Sequence, residues 1–200
     1  MHPIALGLAK NKLYVVFESC AKLQAATSYI EAELAWSTFI MAASTVYSKL
    51  EQGAKSSGKS KGWFGRRKKE RKDDPLLRYL HFARNSDEHG MEHGTHRNVP
   101  TIDGKALGFT KEQFGKEVPL QVQKVNPVTK QPEGPVVDAT LEGPNIILRT
   151  VTDSRFGDSC DPPKEHLGQP IGKPTPQKIA ELGLAYLNQM VAEAETLGVP

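Results

Sequence analysis

Apolar residues recur at helical spacing through the first quarter of the chain. Residues 7–52 are rich in Ala, Leu, Glu, Lys and Gln, with no proline and no glycine after Gly7. This pattern predicts a helix from about Leu8 to Leu23 and a second from about Thr27 to Glu51, although one kinked helix would satisfy the same spacing. The second carries Ile30, Leu34, Trp36, Phe39, Ile40, Val46, Tyr47 and Leu50. Apolar coverage that wide marks a helix buried on more than one side, as in a bundle. A third helix begins at Asp74-Pro75, an N-cap residue followed by proline where a missing N–H costs nothing. Its stripe is Leu76, Leu77, Leu80 and Ala83, and Gly90 is placed to end it near His89. Thr175-Pro176 opens a last helix with Ile179, Leu182, Tyr186, Met190, Val191 and Leu197 at helical spacing.

Between Asn98 and Pro174 the pattern changes. Prolines and glycines recur, and short β-branched runs appear at Val118–Val125, Val136–Leu141 and Asn145–Thr152. The junctions NPVTKQPEGP and EGPN read as turns, so a small antiparallel meander of two to four strands is expected. The fold class is therefore α+β: a mainly helical bundle with a small antiparallel β-rich insertion before the C-terminal helix. Residues 1–98 form the helical core, 99–174 the insertion, and 175–200 a helix packing back on the bundle. The core includes a Gly/Ser/Lys-rich connection at 53–72, expected to be a poorly ordered loop, with Trp63 and Phe64 either stacking on bases or tacking it down.

Charge sharpens the interest of that connection. Residues 54–72 hold nine Lys/Arg and one Glu; without them the chain's 26 basic and 23 acidic residues fall to 17 and 22, a net of −5. A concentrated basic element on an acidic body attracts polyanions, with Arg66, Arg67, Lys68, Lys69, Arg71 and Lys72 as candidate nucleic-acid contacts. The plainer alternative is a solvated loop. Cys20 and Cys160 are too few and too far apart for a disulfide framework. The start MHPIALGLAKNKLYVV has no signal-peptide pattern, and the most apolar stretch, Leu34–Val46, is too short to span a bilayer. The expectation is a soluble, cytoplasmic protein without a membrane partner.

Candidate chemistry gathers in RNSDEHG, residues 84–90, at the end of the third helix. Arg84 offers a forked cation for phosphate, His89 an imidazole that titrates near neutrality, and Asn85 an orienting amide. On one ideal helix Arg84 and His89 lie about 140° apart, so a single copy does not converge them, whereas a two-fold dimer gathers two of each in one groove. The plain alternatives are an Arg84–Glu88 surface pair and a histidine at the negative end of a helix dipole. His81, His89, His93 and His96, with Asp87, Glu88 and Glu92, form a histidine-rich run that is weighed as a metal site. Gly90 and Gly94 interrupt the spacing such a site needs, and no metal or other cofactor is expected. GxxxxGK[ST], GxGxxG and GxSxG are absent, and Cys160 between aspartates is a poor nucleophile.

Arg84, Asn85 and His89, on a helix of a small bundle, resemble the R-x4-6-H motif of the HEPN superfamily over at most residues 1–95 and the last helix. The resemblance implies a helical, commonly dimeric domain of the kind found in toxin–antitoxin ribonucleases, abortive-infection proteins and RNA-targeting CRISPR effectors. It further implies metal-independent RNA cleavage, with His89 as general acid/base, Arg84 stabilising phosphate charge and Asn85 positioning. The alternative is a non-catalytic oligomerising module whose β-rich region contacts a protein partner.

Overall fold

In the computed structural model, residues 1–89, 94–102, 105–153 and 157–197 are described, with Glu88, His89, Ile102 and Asp153 described by backbone alone. The first two helices are separate: α1 is Pro3–Ala25 and α2 is Tyr29–Ala54. Ser28 makes the break. Its hydroxyl accepts from Glu31 N–H at 3.3 Å, while the Glu31 carboxylate reaches back to Thr27 N–H at 2.8 Å, a reciprocal satisfaction of helix-end donors. The two run antiparallel, with His2 N–H donating to the Gly53 carbonyl at the open end. Trp36, Phe39, Ile40, Val46, Tyr47 and Leu50 are buried as their pattern implies. Ile30 and Leu34 are not: 63% and 64% exposed, they leave the first turns of α2 with an uncovered apolar edge.

The connection expected at 53–72 is instead largely a helix, α3, Gly58–Asp73. Ser57 caps it by accepting from Ser60 N–H at 3.1 Å. Two aromatics fix it to the bundle. Trp63 and Phe64 are each 5% exposed, Trp63 Nε1 donates to Glu193 at 2.8 Å, and Phe64 meets Tyr47 edge-on at 5.1 Å between ring centroids. Buried aromatic area of this size outweighs the cost of ordering a Gly- and Lys-rich segment.

Asp74 ends α3 and caps the next helix, α4, Pro75–His89, accepting from Leu77 N–H at 2.9 Å. The last helix, α5, is Pro176–Thr196, capped by Thr175. It packs on α1 and α2 with Tyr186 and Met190 inward. It comes close to α4 and α2 at Gly183, where an added Cβ would sit 3.0 Å from Leu80 Cδ1 and 3.1 Å from Phe39 Cζ.

The β-rich region lies between α4 and α5 and is not a meander. Its ten strands among the described residues are β1 Thr95–Asn98, β2 Thr101–Ile102, β3 Lys105–Ala106, β4 Glu117–Val125, β5 Pro132–Glu142, β6 Asn145–Leu148, β7 Val151–Asp153, β8 Asp158–Cys160, β9 Glu165–His166 and β10 Gln169–Pro170. Among the described residues they form five separate antiparallel pairs: β1–β6, β2–β3, β4–β5, β7–β8 and β9–β10. The run Asn145–Thr152 is split, with β6 turned to β1 and β7 to β8. Ile146 and Val151 are buried on the helices, as the contacts of β6 with α2 and of β7 with α4 require. The β4–β5 ribbon packs chiefly on itself. Among the described residues, no helix is long and apolar enough to cross a membrane.

Candidate functional site

The Arg84–Asn85 pair sits in the last turns of α4, both residues half-buried. Arg84 Nη1 donates to Asn85 Oδ1 at 3.2 Å. One turn on, Asp87 Oδ2 accepts from Ser37 Oγ at 2.6 Å, which ties this end of α4 to α2. His89 is the final residue of α4, and its side chain lies outside the described residues. Helical spacing puts His89 about 40° from Asn85 but about 140° from Arg84, so those two do not share a face within one chain. His81, three positions earlier, does lie on the side of the helix that carries Arg84. In the sequence His81 stands out only as a candidate metal ligand.

The Arg84–Glu88 pair and the histidine run fall partly outside the description: Glu92 and His93 wholly, Glu88 by its side chain. Among the described residues no group of three or more His, Cys, Asp or Glu is arranged to hold a metal ion. Cys160 is half-buried, and burial above all pushes its thiol up, so it is no activated nucleophile.

The six basic residues proposed from sequence as nucleic-acid contacts divide between two faces of α3. Arg66, Lys68, Lys69 and Lys72 are exposed. Arg67 and Arg71, candidate nucleic-acid contacts with them, lie half-buried on the face turned to the bundle. Arg67 binds Glu70 and Glu193, while Arg71 lies over the Tyr47 ring at 4.1 Å. Burial opposes the charge on Arg67, but its hydrogen bonds to Glu193 and Glu70 outweigh that and hold it above its ordinary value. The reason is periodicity. Ser60, Trp63, Phe64, Arg67 and Arg71 fall in one arc of the helix, and the arc opposite carries lysines and glycines. Lys59 and Lys61 also lie exposed on that outward arc. At Gly62 and Gly65 an added Cβ would meet nothing within 4 Å, so the backbone there is open to approach.

This cationic face and the Arg84–Asn85 pair are not one cluster. The first lies along α3 and the second in the last turns of α4. A third feature was invisible in the sequence. Tyr47, Arg71 and His81 come from three different helices and line one hollow together with residues of α5.

No family model, curated protein or solved structure matches the chain.

Proposed function

We propose that the chain is a metal-independent RNA-binding protein or endoribonuclease of the HEPN type, acting as a cytoplasmic homodimer in phage defence or as a toxin. The observation that carries this reading is the Arg84–Asn85 hydrogen bond near the end of a bundle helix. It pre-orients a guanidinium beside an amide at the matching motif positions. The exposed cationic face of α3 supports the same reading, because clustered cations attract the phosphates of an RNA strand. In the chemistry implied, His89 takes the proton of a ribose 2′-hydroxyl and the 2′-oxygen attacks the adjacent phosphorus. The 5′-oxygen then leaves, taking a proton back from the imidazolium so formed, and Arg84 stabilises charge on the non-bridging oxygens. A second copy supplies the histidine that one helix cannot bring to its own arginine.

The test is cleavage of a mixed pool of structured and single-stranded RNA in the presence of EDTA. The expected result is fragments ending in 2′,3′-cyclic phosphate, abolished in His89→Ala and in Arg84→Ala, and restored when the two inactive variants are mixed. An intact RNA pool would reject the enzyme reading.

One observation favours the second reading, a protein-interaction module. The β4–β5 register puts Val118, Leu120 and Val122 beside Leu141, Ala139 and Val137 on one face of the ribbon. That face is half-buried at its base and exposed at Val122 and Val137. Two-stranded ribbons are marginal alone in water, so a partner on this face would stabilise it.

A further inference from the structure

We propose that the hollow enclosed by α2, α3, α4 and α5 binds a small organic anion, with an apolar body among the helices and a carboxylate or phosphate held at the mouth by Arg71. The hollow measures about 450 Å3 including its open mouth, and about 40 Å3 of it is open to the centre of a water-sized sphere. That room suits the edge of a ring or a short chain rather than a large ligand. Its walls include Ile40, Leu77, Leu80 and Leu187, and it lies between helices, where bundles place such sites.

Two polar features point to an occupant. Tyr47 is 6% exposed, lines the hollow, and its hydroxyl has no hydrogen-bond partner among the described residues. Leaving a buried hydroxyl unmatched is unfavourable, whereas removing it is nearly neutral, so its retention fits a role in contacting a ligand. Burial pushes the Tyr47 phenol up to about 12, which keeps it a neutral donor at physiological pH.

The second feature is Arg71. It is half-buried over the Tyr47 ring and forms no ion pair among the described residues. The neighbouring carboxylates are engaged elsewhere, Glu70 with Arg67 and Tyr186, and Glu51 with Lys68. A guanidinium without a carboxylate at the mouth of an apolar hollow selects an anionic head group. His81 lies on the same wall. This inference is independent of the ribonuclease reading.

The experiment is an amide chemical-shift titration of the full chain with benzoate, phenyl phosphate and hexanoate. Benzamidine supplies the ring with the opposite charge, and acetate supplies the charge without the apolar body. At least one of the three anions is expected to give saturable shifts centred on Ala43, His81 and Gly183, and neither control should do so. Arg71→Gln should weaken that binding about tenfold or more, the loss of a charge-assisted contact. Tyr47→Phe should weaken binding while leaving the melting temperature equal or higher, an outcome that a purely structural hydroxyl would not give. No saturable anion, equal binding of benzamidine, or unchanged affinity in both variants would overturn the proposal. If Arg71→Gln fails to fold, the wild-type preference for benzoate over benzamidine and the Tyr47→Phe result decide it.

Discussion

The α3 helix and the β4–β5 ribbon are both highly polar and exposed segments, and their sequences mislead in opposite directions. The first reads as a loop, with its glycines and eight cations, yet it is fastened to the bundle at Trp63, Phe64 and Arg67. The second reads as well-formed strand, with alternating apolar residues and a clear turn, yet it packs on little besides itself. Regular local pattern and tertiary anchorage are thus separate properties. A segment is held in place by the area and hydrogen bonds a few residues bury, not by how regular its spacing looks.

The most severe test of that difference is truncation of one apolar side chain in each segment. Trp63→Ala removes a fully buried indole and its bond to Glu193, and should cost about 3–5 kcal/mol in urea unfolding, with loss of helical signal from α3. Val137→Ala in the ribbon, at a side chain 54% exposed, should cost under about 1 kcal/mol. Equal costs would remove the distinction. A smaller effect is expected from Glu193→Gln, which takes one carboxylate from Arg67 while Glu70 remains. With the Arg67 and Glu193 side chains 16% and 33% exposed, the pair is only partly screened, and a loss of about 1–2 kcal/mol is expected.

The helices with apolar stripes and marked ends were legible in the sequence, because Asp74-Pro75 and Thr175-Pro176 satisfy helix-end donors by local chemistry alone. The α3 helix was not, since its inward face is two adjacent aromatics followed by arginines and a glutamate, which have no apolar periodicity. The split of Asn145–Thr152 was hidden for another reason. β6 pairs with β1, some fifty residues earlier, and only the tertiary arrangement selects that partner over a local hairpin. In the candidate site, Arg84 and Asn85 are adjacent in sequence and so were readable together. The hollow was unreadable because Tyr47, Arg71 and His81 converge only after four helices have packed.

Between the two extremes lies the small β9–β10 pair, which is anchored through one carboxylate. Asp74 receives His166 Nδ1 at 3.0 Å and Leu167 N–H at 2.6 Å besides its helix-capping bond. Burial opposes ionisation of Asp74, but the hydrogen bonds from His166, Leu167 and Leu77 outweigh it and hold the carboxyl below its ordinary value. The unfolded chain therefore takes up this proton at higher pH than the folded one. The Asp74 contribution is complete above the ordinary carboxylate range and is lost as pH falls through the lowered folded value. Asp74→Ala should cost about 1–2 kcal/mol near neutrality, and the gap to wild type should close in urea unfolding below about pH 4. A gap independent of pH would mean that the ionised form is not what anchors the pair.

The smallest effect is expected on the outward face of α3, and its sign separates folding from binding. Gly62 is exposed inside a helix, and a methyl group there would meet nothing. Glycine loses more backbone freedom than alanine on folding, so Gly62→Ala should stabilise the protein by about 0.5–1 kcal/mol. Raised salt should stabilise wild type in the same direction, because it screens the repulsion among Lys59, Lys61, Arg66, Lys69 and Lys72. If glycine serves only as a poor helix former, the variant gains stability and binds RNA as before. If the open backbone lets a phosphodiester strand approach between the flanking cations, alanine at 62 and 65 together holds it off. The double variant would then be more stable than wild type yet bind RNA more weakly at every salt concentration, with the slope of affinity against salt unchanged because no cation has been removed.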